Sequence, residues 1–158
     1  MPLLYVALFH AAGCSPTKPN ELDRLAKVTM TIKGHRFDVW IADSSSERER
    51  GLMMVTQEQM APISDGVDRG MIFVFDHDER GSFWMKDTII PLDIAYLAAD
   101  GTVVTTYTMA PLDTRYNQYA PTKPYRYVIE VNANRWNDLG VRVGDKVDIP
   151  PEIANRRP

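Results

Sequence analysis

Asp93 sits in Ile89-Ile90-Pro91-Leu92-Asp93-Ile94-Ala95-Tyr96-Leu97, a lone carboxylate in an otherwise apolar run. A carboxylate drawn into such a run must be paired or hydrogen-bonded, or it takes up a proton. Lys86 and Arg50 are partners of the right type, and a strand-end Asp bonding nearby backbone amides is the alternative. Asp87 lies six residues earlier, an offset that places two side chains on one face of an ideal strand, although Pro91 interrupts this one. Two carboxyls converging in a cleft, with proton affinities driven apart, would serve as the acid and base of a hydrolase. Asp87 and Asp93 are therefore the candidate catalytic residues.

Phe83-Trp84-Met85-Lys86-Asp87 offers a different chemistry. On a strand, Trp84 and Lys86 share one face and Phe83, Met85 and Asp87 the other. An aromatic and cationic face suits a polar ligand such as a sugar or an envelope polymer. The competing arrangement packs Trp84 in the core and lays the Lys86 stem across it, with the ammonium in water. The candidate ligand-binding residues are Arg50, Trp84, Lys86, Asp87, Thr88 and Tyr119. Tyr116, Tyr119 and Tyr125, with Arg115 and Gln118, lie in or beside a long loop that suits a loop-borne site.

Other chemistries find less support. Eight methionines suggest soft ligands for Cu(I), but no M-x-x-M run or His-Cys pair accompanies them, and gap-filling core is the better reading. Asp76-His77-Asp78-Glu79 offers oxygens to Ca²⁺ without the spacing of an EF-hand loop, so it reads as a solvated turn. His35 reads as a surface histidine. No G-x-S-x-G elbow surrounds Ser44 to Ser46, and no phosphate loop is present. Neither a metal site nor a cofactor is expected.

Composition bounds the class. The 158 residues carry 18 Lys and Arg against 21 Asp and Glu, a formal charge of -3. A nucleic-acid binder needs a basic surplus, so no nucleic-acid partner is expected. Hydrophobic residues make up 44%, enough for one ordered domain. One Cys and three His leave no intrachain disulfide, no Cys-rich zinc site and no three-His zinc outside the leader.

That Cys defines the N-terminal expectation. Met1 to Phe9 is an uncharged apolar run, too short to span a bilayer and similar to the apolar region of a secretory signal. Ala11-Ala12-Gly13-Cys14 resembles a bacterial lipoprotein cleavage site. Residues 1–13 are expected to be a signal segment, Cys14 the lipidation site, and 14–26 a tether that carries Pro16, Pro19 and Asn20. The protein would be exported and membrane-anchored, in the periplasm or at the cell surface. One domain would follow over 27–150, with a C-terminal tail over 151–158.

The elements that must position these residues are mostly strands. Lys27–Lys33 and Arg36–Ile41 alternate around Gly34 and predict a hairpin. Asp43 to Ser46 followed by Glu47 is a helix-start signal, so one short helix is expected near residues 45–54. Further strands are predicted at Met71–Phe75, Ser82–Lys86, Ile89–Leu97, Thr102–Met109, Tyr125–Val131 and Lys146–Ile149, with a short turn or helix around Asn134–Leu139. Asp76–Gly81 reads as a turn and Pro111–Pro124 as a loop. The expected fold is mainly β, a single compact antiparallel sandwich or barrel.

Three blocks carry a family resemblance: Arg48-Glu49-Arg50-Gly51-Leu52-Met53, Gly70 to Phe75, and Phe83 to Ile94. Asp100-Gly101, Tyr127-Val128-Ile129-Glu130-Val131 and Val143-Gly144-Asp145 extend it. The pattern resembles the bacterial and archaeal domain of unknown function 192 family. The resemblance implies a compact mainly-β fold, frequent among exported or membrane-anchored proteins, and no assigned activity. Asp87 stands where the family usually has Asn, and Asn134 where an Ala-Gly pair usually ends. The favoured reading is an envelope-associated domain binding a small ligand, polysaccharide or protein partner without catalysis. The alternatives are an acid–base hydrolase using Asp87 and Asp93, and a scaffold whose motif residues serve the fold.

Overall fold

The computed structural model describes residues 19–156 apart from Asp65 and Tyr116. The signal segment and Cys14 lie outside the described residues. A 3₁₀ turn at Leu22–Arg24 precedes strands β1 (Lys27–Ile32) and β2 (His35–Ala42), then helix α1 (Ser45–Arg50). Strands β3 (Val67–Glu79), β4 (Leu92–Leu97), β5 (Val103–Met109) and β6 (Tyr125–Asn132) follow, with short helices α2 (Arg135–Leu139) and α3 (Pro151–Ala154).

The β1–β2 hairpin forms because Lys33 (φ 53°) and Gly34 (φ 78°) both take the left-handed conformation a two-residue turn needs. Helix α1 starts at a full capping box: Ser44 Oγ accepts from the Glu47 amide at 3.3 Å, and Glu47 Oε2 accepts from the Ser44 amide at 2.9 Å. The helix stops at Arg50, short of the expected residue 54, because Gly51 leaves helical geometry at φ 45°.

The fold is mainly β, as expected, but the strands form one mixed sheet in the order β1-β2-β3-β6-β4-β5, not closed into a barrel. The departure from antiparallel order is the β2–β3 pair, which is parallel. Parallel neighbours need a crossover, and residues 43–66, including α1, provide it. Strand β3 is longer than predicted, at 13 residues, and its register against β6 shifts between Val74 and Glu79. The expected Asp76–Gly81 turn is thus largely the end of a strand. Segment Ser82–Lys86 is no strand and makes only a Phe83–Tyr119 bridge, while Lys146 makes one with Thr102.

Both faces of the sheet are covered. Leu92, Ile94 and Tyr96 pack with Met71 and Phe73 beneath Leu52, Val55, Met60, Met85 and Ile90. The other face buries Ala95, Leu97, Ile129 and Val131 against Trp136, Val141, Val147 and Ile153. Six of the seven methionines among the described residues are buried, Met60, Met71 and Met109 completely, which is the gap-filling role expected of them. The packed unit is wider than 27–150: Leu22, in the expected tether, and Ile153, in the expected tail, are both buried. Full burial of an Ile contributes about 2 kcal/mol, which explains why the end of the chain is drawn in. No helix among the described residues is long and apolar enough to cross a membrane.

Candidate functional site

Trp84 is held outward by what lies on either side of it. Phe83 turns inward, edge-to-face on Phe73 at 4.9 Å and on Tyr96 at 5.8 Å, and its amide donates to the Tyr96 hydroxyl at 3.2 Å. Met85 is buried, and its amide donates to the Asp113 carbonyl at 3.0 Å. The indole between them is 50% exposed, with Lys86 Nζ 5.2 Å from its ring centre. A cation over an indole face is mutually attractive. Of the two arrangements open to the sequence, the structure forms the exposed aromatic and cationic one.

Two recesses flank this indole and share Phe83 and Trp84. The first is an open groove of about 500 Å³ whose polar lining includes Arg80, Ser82, Thr114, Arg115 and Asn117. The second is a narrow cleft of about 30 Å³ between the end of α1 and the Trp84 loop, lined by Arg50, Gly51, Phe73, Thr88 and Glu130 among others. That volume admits one or two water-sized groups. Gly51 keeps it open and tight together, since a Cβ there would sit 3.3 Å from the Phe73 ring. A separate groove of about 580 Å³ lies beyond Arg50 and Gly51, bordered by Pro19, Asn20 and Arg24.

Glu130 is the functional candidate that sequence reasoning missed. It lies in β6 between Met71 of β3 and Ile94 of β4, on the Trp84 side of the sheet. It is 4% exposed, and among the described residues its carboxyl makes no hydrogen bond or ion pair. Burial alone pushes its pKa up to about 8, so it is mostly a neutral acid at neutral pH. The signal was present in Tyr127-Val128-Ile129-Glu130-Val131, an acid in an apolar strand like Asp93.

Asp93 and Asp87 are not brought together. Asp93 points to the opposite face, 1% exposed, and accepts from Thr108 Oγ1 at 2.6 Å and from the Trp136 amide at 2.8 Å. It holds an otherwise unpaired amide in the first turn of α2. The expected partners Lys86 and Arg50 are not the ones it uses. Asp87 lies in the loop on the Trp84 side, its carbonyl accepting from the Met54 amide at 2.8 Å, with φ at 54°. Asn and Asp tolerate that left-handed conformation better than other residues with a side chain, which gives this position a backbone reason for its residue type.

The remaining candidates divide. Thr88 is 5% exposed, lines the Glu130 cleft, and donates to the Lys86 carbonyl at 3.3 Å. Arg50 lines the same cleft. Tyr119 is internal: its hydroxyl donates to Asp113 at 2.7 Å and accepts from the Ala110 amide at 3.0 Å, fixing the loop that backs the groove. Arg115 grips Asp113 at 2.6 and 2.9 Å; that contact and the Tyr119 hydroxyl hold the Asp113 carboxyl far below the usual range. Tyr125 spends its hydroxyl on the Gly81 carbonyl at 3.0 Å. Tyr116 lies outside the described residues.

His35 corrects the expectation of a surface residue. Its Nε2 lies 2.9 Å from Asp68, which Arg135 also grips, in an open recess shared with Gln57 and Asn132. His77 contacts Asp76 and Glu79 at the exposed end of β3. Among the described residues no group of three or more His, Cys, Asp or Glu is placed to hold a metal.

A family profile described as "Uncharacterized ACR", the domain of unknown function 192, matches residues 28–149. No curated protein matches the chain by sequence. Among solved structures, a protein of unknown function from Novosphingobium aromaticivorans is 28% identical with a TM-score of 0.68, covering 86% of this chain and 94% of its own. A chain from Sinorhizobium meliloti, described as a candidate transcription regulator, is 35% identical with a TM-score of 0.63, covering 78% of this chain and 94% of its own.

Proposed function

We propose that this chain, which belongs to the domain of unknown function 192 family, is a non-catalytic binding domain that holds a polar, hydroxyl-rich ligand such as a saccharide against Trp84. The observation that carries the reading is the half-exposed indole, fixed between two recesses with Lys86 over its ring. An aromatic face offers apolar contact to the C–H face of a sugar, and Arg80, Ser82, Thr114 and Asn117 supply hydrogen-bonding groups at its edge. The reading needs no bond cleavage, since Asp93 is occupied by Thr108 and Trp136 on the far side of the sheet. The description of the Sinorhizobium chain does not carry over to this one, whose formal charge of -3 lacks the basic surplus of a nucleic-acid interface. We place the domain in the cell envelope, anchored to a membrane through lipid on Cys14.

A glycan array carrying acidic and neutral oligosaccharides tests the reading. The wild-type chain should retain at least one class, and Trp84→Ala or Lys86→Ala should weaken that retention about tenfold. Retention that survives both substitutions, or no retention at all, overturns it. Labelled fatty acid should enter the wild-type chain in a bacterial host and not Cys14→Ser; equal labelling would refute the anchor.

A further inference from the structure

We infer that the narrow cleft beside Trp84 is a recessed subsite in which Glu130, as the neutral acid, donates a hydrogen bond to a carboxylate oxygen of the ligand. The inference deepens the proposed function by naming an acidic sugar, such as a uronic acid, as the ligand class. Three observations carry it. Glu130 is 4% exposed, its carboxyl has no partner among the described residues, and it lines an opening of about 30 Å³. The Glu130 oxygens are not among the sealed polar atoms and open to the cleft, and the opening admits one small oxygen-bearing group but not a sugar ring. The ring would remain on Trp84 while one substituent reaches down.

The charges around the cleft select the class. Arg48, Glu49 and Arg50 face it from the end of α1, Lys86 and Asp87 stand in the loop beside it, and the Tyr96 phenol lies beneath. Arg48 donates to the Val74 carbonyl at 2.9 Å and stacks on Phe75. β3 presents Phe73 and β4 presents no acid to the cleft. Lys86, with Nζ 5.2 Å from the Trp84 ring centre, stands where a ligand on the indole would place its carboxylate, so a carboxylate meets attraction there and an ammonium meets repulsion. At neutral pH binding leaves the Glu130 proton in place, and above about pH 8 it draws one from solvent onto the ionised carboxyl.

The test uses the full chain, sodium glucuronate as probe, and glucose, sodium chloride and methylammonium chloride as comparisons. The ¹³C carboxyl signal of Glu130, assigned by its loss in Glu130→Gln, is followed against pH. Glucuronate should raise the Glu130 midpoint above its value in sodium chloride. Affinity should fall about tenfold from about pH 7 to about pH 9 as an acid with pKa about 8 ionises. In Glu130→Gln, whose amide also donates and does not titrate, affinity should stay level over that range. A midpoint that glucuronate leaves unchanged, or that methylammonium lowers while glucuronate does not raise it, overturns the subsite. Glucuronate binding that needs Trp84 but ignores pH keeps the groove and removes the subsite. A raised midpoint that persists in Trp84→Ala keeps the subsite and removes the groove.

Discussion

Replacing Glu130 by Gln should stabilise the protein, and increasingly so as pH rises. The unfolded chain holds this carboxyl near 4.5, while burial in the folded chain raises it to about 8. Below 4.5 both states are protonated and the side chain imposes no ionisation penalty. Between 4.5 and about 8 the unfolded state has released a proton that the folded state retains, so stability falls with rising pH; above that it stays low. Each pH unit across the window costs about 1.4 kcal/mol, so the whole window costs on the order of 5 kcal/mol. That is comparable with the entire stability of many domains. Gln has the same shape and no charge, and lacks this loss. Glu47, Asp100, Asp113 and Asp145, whose carboxyls partners hold low, lose stability only as acid protonates them, and they cancel between the two proteins. Urea unfolding followed by tryptophan fluorescence from about pH 5 to about pH 9 reads the difference directly. The gap in favour of Gln should widen by several kcal/mol across that range. Parallel pH profiles would refute the reasoning, because they would mean that Glu130 ionises alike in both states.

Three further outcomes follow from the geometry. Asp93→Ala strips the acceptor from Thr108 and from the Trp136 amide and should cost on the order of 3 kcal/mol in urea unfolding; a negligible loss would contradict the buried bonding. At Asp87, with φ at 54°, Asn should leave stability within about 0.5 kcal/mol while Val costs about 1–2 kcal/mol. Equal stability of those two variants would remove the backbone explanation. Ser44→Ala breaks the capping box and should lower stability by about 1 kcal/mol, and an unchanged denaturation midpoint would refute that.

Local chemistry was legible in the sequence, and non-local pairing was not. The hairpin around Gly34 and the helix start at Asp43 to Glu47 are decided by residues that touch along the chain, and both formed as read. Alternation also identified Trp84 and Lys86 as sharing an exposure, although loop packing rather than a strand produces it. The parallel β2–β3 pair was hidden because a period of two tells which residues share a face and not which strand lies alongside. Partners distant in sequence escaped for the same reason: Trp136 is 43 residues from Asp93, and Asp68 is 33 from His35. Asp93 and Glu130 present the same pattern, one acid in an apolar strand. Only the fold shows that one has donors and the other faces a cleft.

A saccharide held by this domain must touch Trp84. A ¹⁵N-labelled chain titrated with glucuronate or the best-retained array oligosaccharide reports this through its three indole N–H signals. Trp84 is half exposed, while Trp40 and Trp136 are each 4% exposed on separate faces of the sheet. The Trp84 indole and the amides of Ser82 and Asn117 should shift together and saturably, with Trp40 and Trp136 unmoved. Shifts centred on His35, Asp68 and Arg135 with Trp84 silent, or no shifts at all, would contradict a Trp84 binding site.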